Sequence, residues 1–315
     1  MGYLIGVDLG GTKISSAISD LEGNVLHEAR VPTEGKEGEE KVMGRILDSI
    51  SKLIEMAGAE YKDIASIGVG TPGIIDKKKG EILRAYNLPF KNYNLLGPIK
   101  NKFQCTCTLE NDASAAALGE FLFGQGRGMN NLIYLTISTG VGGAAIIDGK
   151  LQEGSTGNAF EPGHMIIDPR SSVQCNCGLY GDVEALASGT AITKRAMEAM
   201  ERGEETLLSA YESVSPKEVH EAYLHEDEVS MRILDEAFFY TGITVANLIS
   251  LYNPEVLVIG GGVSFIGDLF FRKVKETAKR SCLSFLYDAC EIMPSGLGEK
   301  TGVMGALAVA KISCR

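Results

Sequence analysis

Hydrophobic residues along the chain recur with two different periods, and together they predict alternating strands and helices. Residues 3–8 form a short apolar run that ends at an acid, and residues 14–20 and 25–31 alternate as strands do. Glycine-containing turns join these three segments. Between 39 and 58 the apolar positions recur at helical spacing, so we expect a helix there. This order is not the strand–loop–helix order of a dinucleotide-binding fold.

The second half of the chain repeats this arrangement. Residues 131–151 again read as a strand, a Gly/Thr turn, a second strand and a hairpin turn. A buried strand that ends in glycines is predicted at 255–263. Segments with helical spacing lie at 183–202, 216–225, 229–252 and 301–313. Two copies of one strand–turn–strand unit, each followed by helices, predict two similar α/β lobes with a cleft between them.

Composition and charge narrow the class of protein. With 315 residues, 44% of them hydrophobic and 23% charged, the chain has the make-up of a globular protein of one or two domains. The net charge of −11 argues against a broad nucleic-acid-binding surface. No apolar run approaches the ~20 residues of a membrane span, and the N-terminus lacks a signal-peptide pattern. Seven cysteines, an odd number, fit a reducing compartment, so we expect a cytoplasmic protein without nucleic-acid or membrane partners.

The first candidate for chemistry is the turn after the opening strand. It is formed by Gly10, Gly11, Thr12 and Lys13. Glycines let backbone N–H groups approach a phosphate closely, and the hydroxyl of Thr12 adds a further donor. Asp8, at the end of the strand, is placed to hold Mg²⁺ through water. A plain hairpin turn is the alternative for this segment taken alone.

A matching turn stands at the same place in the second repeat. It contains Ser138, Thr139, Gly140, Gly142 and Gly143. Two such turns are a stronger signal than one, because facing lobes would clamp a polyphosphate from both sides. Gly261 and Gly262 follow the later buried strand and leave room for a flat ring such as adenine, with a tight turn as the alternative.

The segment LEND, residues 109–112, delivers polar side chains to the end of a predicted strand. Asn111 and Asp112 stand there, directly before a helix expected from about residue 113. Ligand-binding groups gather at such strand ends in open α/β sheets. Asp112 is either a helix cap or, given the two phosphate turns, a carboxylate base for phosphoryl transfer.

Taken together, these segments resemble the ROK family of sugar kinases, within the actin-like ATPase and hexokinase superfamily. The resemblance covers nearly the whole chain and is carried by GVDLGGTK, GVGTPG, N-x-P at 87–89, LENDASAAALGE, STGVGG, E-x-G-H at 161–164, CNCG-x-x-G at 175–181, EALASG, NPEVLVIGGGV and TGVMGALA. It implies two actin-like ATPase (ribonuclease H-like) lobes. The expected boundaries are 1–112 plus 301–315 for the N-terminal lobe and 113–300 for the C-terminal lobe.

The resemblance also implies roles for individual residues. Asp112 matches the family's general base, which takes the proton from the 6-hydroxyl of a hexose as that oxygen attacks the γ-phosphate of ATP. The sugar-binding positions are matched by Gly73, Asn87, Asn111, Glu161, His164 and Glu184. Gly10 to Lys13 and Ser138 to Gly143 match the two phosphate loops, and Gly261 and Gly262 the adenosine region. ATP and Mg²⁺ are the implied cofactors, and a homodimer or homotetramer is the implied assembly.

A structural zinc site is the last implied feature. His164, Cys175 and Cys177 match three of the family's ligands, and Asp182 stands where the family has a further cysteine. Carboxylate oxygen is an accepted zinc ligand, so we expect Zn²⁺ bound by these four residues. The alternative is that Asp182 caps a helix beginning near Val183, with the two cysteines as free thiols.

Two further departures from the family pattern concern the sugar and the base. Phe160 stands where the family has Gly or Ala, directly before Glu161, so we expect its ring to reshape the sugar pocket. Ser114 stands where the family has Asn. An N-acetylhexosamine, N-acetylmannosamine or N-acetylglucosamine, is therefore the alternative substrate to a glucose-like hexose.

Functions of another class are also represented in this superfamily. A non-catalytic sugar-sensing regulator is one, but Asp112 and both phosphate turns favour a kinase. The family's transcriptional repressors carry an added DNA-binding domain before the kinase-like part, and here the first phosphate turn already follows residue 8. A filament-forming relative of actin is disfavoured by the sugar-type residues Glu161, His164 and Glu184.

Overall fold

The computed structural model describes residues 2–85 and 87–314. The strands are β1 (Tyr3–Leu9), β2 (Lys13–Asp20), β3 (Val25–Pro32), β4 (Ile64–Thr71), β5 (Ile74–Asp76), β6 (Glu81–Arg84), β7 (Lys91–Asn94), β8 (Thr106–Asn111), β9 (Leu132–Ile137), β10 (Val141–Ile147), β11 (Lys150–Leu151), β12 (Val256–Gly260) and β13 (Glu291–Pro294). The helices are α1 (Glu39–Met56), α2 (Leu96–Phe103), α3 (Asp112–Phe123), α4 (Val183–Ala187), α5 (Gly189–Glu201), α6 (Pro216–Leu224), α7 (Glu228–Tyr252), α8 (Asp268–Ser281), α9 (Ser284–Tyr287) and α10 (Thr301–Ser313).

The chain forms two compact units. The first comprises Met1–Gly128, Lys150–Ala159 and Ser295–Arg315, and the second comprises Met129–Gly149 and Phe160–Pro294. The first unit therefore extends past the expected boundary at 112 and includes α3. The reason is packing: α3 lies against α10, and Gly119 meets Gly305 so closely that an added Cβ would be 2.9 Å from the Gly305 nitrogen.

The sheet of the first unit has the strand order β3-β2-β1-β4-β8. β1 pairs antiparallel with β2 and parallel with β4, which in turn is parallel to β8. Alternation along β1 places Ile5, Val7 and Leu9 in the core that includes α1, while Leu4 packs with Leu307 of α10. Asp8 has the same parity as Leu4, so the alternation turns its carboxylate toward the α10 face of the sheet.

A small antiparallel sheet, β5-β6-β7, completes the first unit. The sequence pattern did not predict it, because its strands have only three or four residues each. The connection between β6 and β7 carries Asn87. The small sheet thus supports one of the candidate sugar-binding residues.

The sheet of the second unit contains the run β10-β9-β12-β13, which matches the run β2-β1-β4-β8 in the first. β9 is antiparallel to β10 and parallel to β12, as β1 is to β2 and β4. The predicted repeat and the α/β fold of the actin-like type are confirmed. The helix predicted at 183–202 is broken at Ser188, whose hydroxyl caps α5 by accepting from the Ala191 nitrogen at 3.1 Å.

Two findings bear on the expectations from composition. Among the described helices, even the 25-residue α7 is not apolar enough to cross a bilayer, and none of the others meets that requirement. None of the seven cysteines forms a disulfide bond. Cys107 is buried, and Cys105 packs against the core of the first unit.

Candidate functional site

The first phosphate turn joins β1 to β2 and is closed by a hydrogen bond from the Gly10 nitrogen to the Lys13 carbonyl at 3.0 Å. Gly11 lies against the segment that follows β6. A Cβ at Gly11 would stand 2.9 Å from the Asn87 carbonyl oxygen and 3.0 Å from the Asn87 Cβ, so only glycine fits there. The structure therefore brings a predicted phosphate turn and a predicted sugar-binding residue together.

Thr33, which directly follows β3, holds this turn from outside. Its hydroxyl donates to the Gly10 carbonyl at 2.6 Å, and its N–H donates to the Thr12 carbonyl at 3.0 Å. The side chain is fully buried. Sequence reasoning missed Thr33. Pro32 pairs with Lys13 in the hairpin of β2 and β3, so the next residue, Thr33, lies beside the turn. The strands predicted at 14–20 and 25–31 could have indicated this position.

Asp8, at the end of β1, lies close to Asp112. Burial and, second, the charge of Asp112 raise the pKa of Asp8 to about 6, while Lys13 and Arg30 oppose the shift. The first turn of α10 packs on the carboxylate, since a Cβ at Gly302 would collide with the Asp8 oxygens. Two neighbouring carboxylates are a donor set that fits a hard divalent cation such as Mg²⁺.

Asn111 and Asp112 stand at the junction of β8 and α3, and they divide two tasks. Asn111 is the helix cap: its Oδ1 accepts from the nitrogens of Ala113 at 3.0 Å and Ser114 at 3.3 Å. Asp112 also accepts from the Ala113 nitrogen, at 2.9 Å, yet its side chain stays exposed. The surrounding protein raises the pKa of Asp112, whereas hydrogen bonds from Ala113 and the Asn111 side chain oppose that shift. Because Asn111 performs the capping, Asp112 keeps an oxygen that can accept a proton.

Gly73, also predicted to line the sugar site, has a left-handed backbone with φ of +102°. A Cβ there would lie 3.0 Å from the Cα of Ala85 and would collide with the Arg84 carbonyl. Glycine at this position thus permits β4 and its following turn to approach the segment that leads to Asn87.

A buried ion pair that the sequence did not suggest lies directly before the candidate base. The Glu110 carboxylate accepts from Lys77 Nζ at 2.5 Å and from the Asn111 nitrogen at 2.8 Å. Lys77 also donates to Glu153 at 2.9 Å. Burial raises the pKa of Glu110, and Lys77 opposes that shift. The pair fixes the strand end from which Asn111 and Asp112 project.

The second phosphate turn is held by the start of α5. The Ser138 nitrogen donates to the Gly140 carbonyl at 2.8 Å, and the Gly189 nitrogen donates to the Ser138 carbonyl at 2.7 Å. The Thr190 hydroxyl donates to the Thr139 carbonyl at 2.8 Å. Gly189 and Thr190 are further residues that sequence reasoning did not assign to this turn.

Glu184, predicted to bind sugar, lies against this second turn. Its Oε2 accepts from the Val141 nitrogen at 2.9 Å, and a Cβ at Gly140 would collide with that oxygen. Its Oε1 accepts from the Cys175 thiol at 3.6 Å. Glu184 therefore connects the phosphate turn to the cysteine segment within the second unit.

Gly142 and Gly143 lie inside β10, and the segment with Glu161 packs over them. A Cβ at Gly143 would be 2.9 Å from Pro162 and 3.1 Å from the Phe160 ring. Phe160 has a left-handed φ of +67°, and its ring lies tilted against that of Tyr252, with the ring centroids 5.4 Å apart. The ring also packs against the core of the second unit. Phe160 therefore has a packing role, and its effect on the sugar pocket stays a prediction.

Glu161 and His164 occupy the two ends of one short turn. Glu161 precedes the 3₁₀ helix Pro162–His164, and the His164 nitrogen donates to the Glu161 carbonyl at 3.1 Å. Gly261, after β12, has φ of +88°, and a Cβ there would collide with the Ile137 carbonyl at the end of β9. Gly262 faces open space, so the glycine pair lies beside the second phosphate turn and leaves room there.

The four predicted zinc ligands form a cluster in the second unit. The ligand atoms of His164, Cys175, Cys177 and Asp182 all lie within 4.8 Å of one another. Asp182 is fully buried, and its Oδ2 lies 3.2 Å from His164 Nδ1 and 3.4 Å from the Cys177 sulfur. Two sulfurs, an imidazole nitrogen and a carboxylate oxygen are donors that zinc accepts.

Asp182 also serves as the cap that the alternative interpretation required. Its Oδ1 accepts from the Ala185 nitrogen at 2.8 Å and so caps α4. Burial raises the pKa of Asp182, but hydrogen bonds from Ala185, Cys175 and His164 outweigh it and lower that pKa. Because one oxygen caps and the other faces the cluster, capping and metal binding are compatible.

The sequence of this chain matches those of known proteins over nearly its whole length. A sequence model described as the ROK family matches residues 4–312. A glucokinase from Halalkalibacterium halodurans is 32% identical over 307 residues, which are 96% of this chain and 93% of that protein. A xylose repressor from Caldicellulosiruptor bescii is 34% identical over 98% of this chain, and the match spans 78% of the repressor.

A solved structure gives the same result at the level of the fold. It is a ROK family glucokinase from Streptomyces griseus in complex with glucose and AMPPNP. Its TM-score to this chain is 0.81 at 31% sequence identity, with 99% of this chain and all of that chain covered.

Proposed function

The chain belongs to the ROK family, and from that premise we propose that it transfers the γ-phosphoryl group of ATP to the 6-hydroxyl of a hexose. It is a sugar kinase of the glucokinase type, like the relative from H. halodurans. The observation that carries the proposed chemistry is the exposed Asp112 carboxylate beside its capping neighbour Asn111.

Asp112 is the group that receives the proton. As the hexose oxygen attacks, a bond forms between that oxygen and the γ-phosphorus, and the bond from the γ-phosphorus to the oxygen bridging it to ADP breaks. The hydroxyl proton passes to Asp112, whose raised pKa makes it a better acceptor than an ordinary carboxylate. Asn111 donates to Asp112 and so orients it.

The two glycine turns supply backbone donors for the phosphates of ATP. Gly11 lies against the Asn87 backbone and Gly140 against the Glu184 carboxylate, and Lys13 adds a positive charge to the first turn. Asp8 would hold Mg²⁺ in this turn, and the ion would neutralise charge on the transferring phosphate. Use of ATP is supported by the AMPPNP complex of the S. griseus relative.

Each unit carries candidate hydroxyl-binding groups of its own. Asn87 and Asn111 belong to the first unit, and Glu161, His164 and Glu184 belong to the second. Amides, carboxylates and imidazole suit a ligand whose hydroxyls both donate and accept. Glucose is the proposed substrate on the basis of the glucokinase relatives, with an N-acetylhexosamine as the alternative.

Zinc is proposed to have a structural role at His164, Cys175, Cys177 and Asp182. All of these ligands come from residues 164–182, so the ion would fix the segment that carries Glu161 and Glu184. With the four positions of a tetrahedral ion taken by protein, none is left for substrate.

The second candidate is a sugar-sensing regulator without kinase activity, and the 34% identity to a xylose repressor favours it. An assay that couples ADP release to a measurable signal, run across glucose, mannose, N-acetylmannosamine, N-acetylglucosamine and xylose, separates the two. We expect sugar-dependent ADP release with at least one hexose. Sugar binding by calorimetry without ADP release for any of these sugars would favour the regulator instead.

A further inference from the structure

Three backbone and side-chain groups of Thr33 are engaged at the first phosphate turn. The hydroxyl donates to Gly10 O and the N–H donates to Thr12 O. The Thr33 carbonyl accepts from Arg45 Nη1 at 3.1 Å. The residue is buried and 23 positions away from Gly10 along the chain. Thr33 therefore connects the turn to α1 through Arg45.

Arg45 is itself fixed from the other side. Its Nη2 pairs with the carboxylates of Glu34 and Glu37, in the charged segment between β3 and α1. Gly35 in the same segment lies against the segment that holds Asn87, since an added Cβ would be 3.4 Å from Pro89. Glu34 and Glu37 therefore hold the guanidinium in place.

The physical consequence follows from the planar trans peptide. In such a peptide the carbonyl oxygen of one residue and the N–H of the next point in opposite directions. Because Thr33 fixes Gly10 O toward itself, the N–H of Gly11 is directed away from Thr33. A turn that must offer N–H groups to phosphate needs its carbonyls held on the opposite side, and Thr33 holds two of them.

In the second unit, a threonine likewise holds a carbonyl of the phosphate turn. Thr190, which lies outside the hairpin of β9 and β10, donates to the Thr139 carbonyl both from its hydroxyl at 2.8 Å and from its nitrogen at 3.3 Å. Each phosphate turn thus has a carbonyl held by a threonine that comes from elsewhere in the chain.

We propose that Thr33, held by Arg45, is a positioning residue for the nucleotide phosphates: it orients the first turn without touching ATP. The inference rests on the proposed kinase function, because that function makes the turn a nucleotide site. It predicts that loss of the Thr33 hydroxyl weakens nucleotide binding more than sugar binding.

The matched pair Thr33→Val and Thr33→Ser tests the hydroxyl, since valine keeps the shape and serine keeps the donor. Equilibrium binding of AMPPNP is measured by calorimetry, together with KM for ATP and for the best sugar. In Thr33→Val we expect Kd for AMPPNP and KM for ATP to rise about tenfold, because a buried carbonyl loses its donor. The sugar KM should change less than about twofold, and Thr33→Ser should restore nucleotide binding to within about threefold of wild type.

Arg45→Gln provides a second route if Thr33→Val does not fold. It removes the guanidinium that holds Thr33 and should raise the Kd for AMPPNP about threefold. Equal nucleotide affinity in folded Thr33→Val and Thr33→Ser would overturn the proposal, and so would parallel loss of sugar and nucleotide affinity. If Thr33→Val is unfolded, unchanged AMPPNP affinity in Arg45→Gln would overturn it.

The proposed function can fail separately from this inference. If wild type binds AMPPNP but releases no ADP with any sugar, the kinase assignment fails, and the calorimetric comparison of the two Thr33 variants still decides the positioning role. If wild type does not bind AMPPNP, both proposals are wrong.

Discussion

Asp112 and Asn111 show how two adjacent polar residues acquire different tasks from one strand–helix junction. Because Asn111 caps α3, one oxygen of the Asp112 carboxylate makes no hydrogen bond to the helix backbone. Asp112→Asn keeps size and shape and removes the proton acceptor. We expect kcat to fall by roughly 10²- to 10⁴-fold, as for loss of a general base. The dissociation constants for AMPPNP and for the sugar, measured by calorimetry, should change little.

The exposed Asp288, which stands at the C-terminal end of the short α9, provides the control for that substitution. Asp288→Asn should leave kcat unchanged. Turnover by Asp112→Asn within threefold of wild type would show that another group, or no protein group, takes the proton.

The pH dependence of the reaction should reflect the raised pKa of Asp112. A base must be ionised, and desolvation by the surrounding protein raises the pKa of this carboxyl above its ordinary value near 3.8. Ionisation is therefore complete well above that raised pKa and is lost as pH falls through it, so kcat/KM should fall on the acid side. The pKa of Asp8 is also raised, to about 6, so protonation of Asp8 contributes to the acid limb as well.

Steady-state kinetics between pH 4.5 and 8.5, with circular dichroism at each pH to confirm folding, give this profile. A kcat/KM that stays constant down to pH 4.5 in folded protein would contradict an acid limb to which Asp8, with a pKa of about 6, contributes.

Asp182 is the residue at which this chain departs from its family's zinc site. Its two oxygens face different groups, one toward Ala185 and one toward His164 and Cys177. We expect about one zinc per chain in protein purified without chelator. Because sulfur is the softer donor, Asp182→Cys should bind zinc more tightly, and Asp182→Ala should lose it and raise the sugar KM.

Competition with a colorimetric zinc chelator gives the affinities in that series. Cys290→Ser, at a buried thiol outside the cluster, is the control and should not alter the zinc content. Less than a tenth of one zinc per chain in fully active wild type would mean that Asp182 acts only as a helix cap.

Residues in local motifs could be predicted from the sequence, whereas their distant partners could not. Gly10 to Lys13 and Asn111–Asp112 were recognisable because the turn and the strand end are each formed by neighbouring residues. Thr33 acts 23 residues from Gly10, and Lys77 acts 33 residues from Glu110. Such contacts form when strands pair and distant segments of the chain come together, and no local sequence pattern predicts them.

At the scale of elements, length and amphipathic pattern decided what was predictable. The helices α1, α7 and α10 were expected because each presents an apolar face over 13 to 25 residues. The strands β5, β6 and β7 are too short for an alternating pattern of apolar and polar residues to be recognised. The break at Ser188 was missed because both sides of it are helical and only the capping hydroxyl marks the boundary.

The close approach of α3 to α10 depends on a missing side chain. A Cβ at Gly305 would lie 2.8 Å from the Ala116 nitrogen and even closer to the Ala115 carbonyl. These atoms are backbone, so they cannot move aside as a flexible side chain could. Gly305→Val should therefore separate the helices and lower the melting temperature by roughly 2–10 °C, as for overpacking that costs roughly 1–3 kcal/mol.

Gly44, in the middle of α1, is the matched control because an added Cβ there meets nothing within 4 Å. Gly44→Ala should stabilise the protein by about 0.5–1 kcal/mol through helix propensity. Thermal unfolding followed by circular dichroism measures both variants. A Gly305→Val protein as stable as wild type would show that α3 and α10 are less tightly packed.

For the whole molecule, the repeated strand order explains why two phosphate turns occur in one chain. Each turn follows the central strand of its own sheet, β1 or β9, and leads to an antiparallel partner. The repeat was visible in the sequence because both copies keep the strand–turn–strand pattern. The division into units was less visible, because the first unit is assembled from three separate segments of the chain.

That discontinuity makes the C-terminal helix part of the first unit's core. α10 buries Val303, Leu307 and Val309, and Leu307 packs with Leu4 of β1. Burial of three such side chains contributes roughly 5–9 kcal/mol, comparable to the whole stability of a typical domain. A chain that ends after Leu297 should therefore fail to fold the first unit, whereas a chain that ends after Ser313 should fold normally. Urea unfolding followed by circular dichroism compares the two truncations. An unchanged transition after loss of α10 would show that the strands of the first unit form a stable core without it.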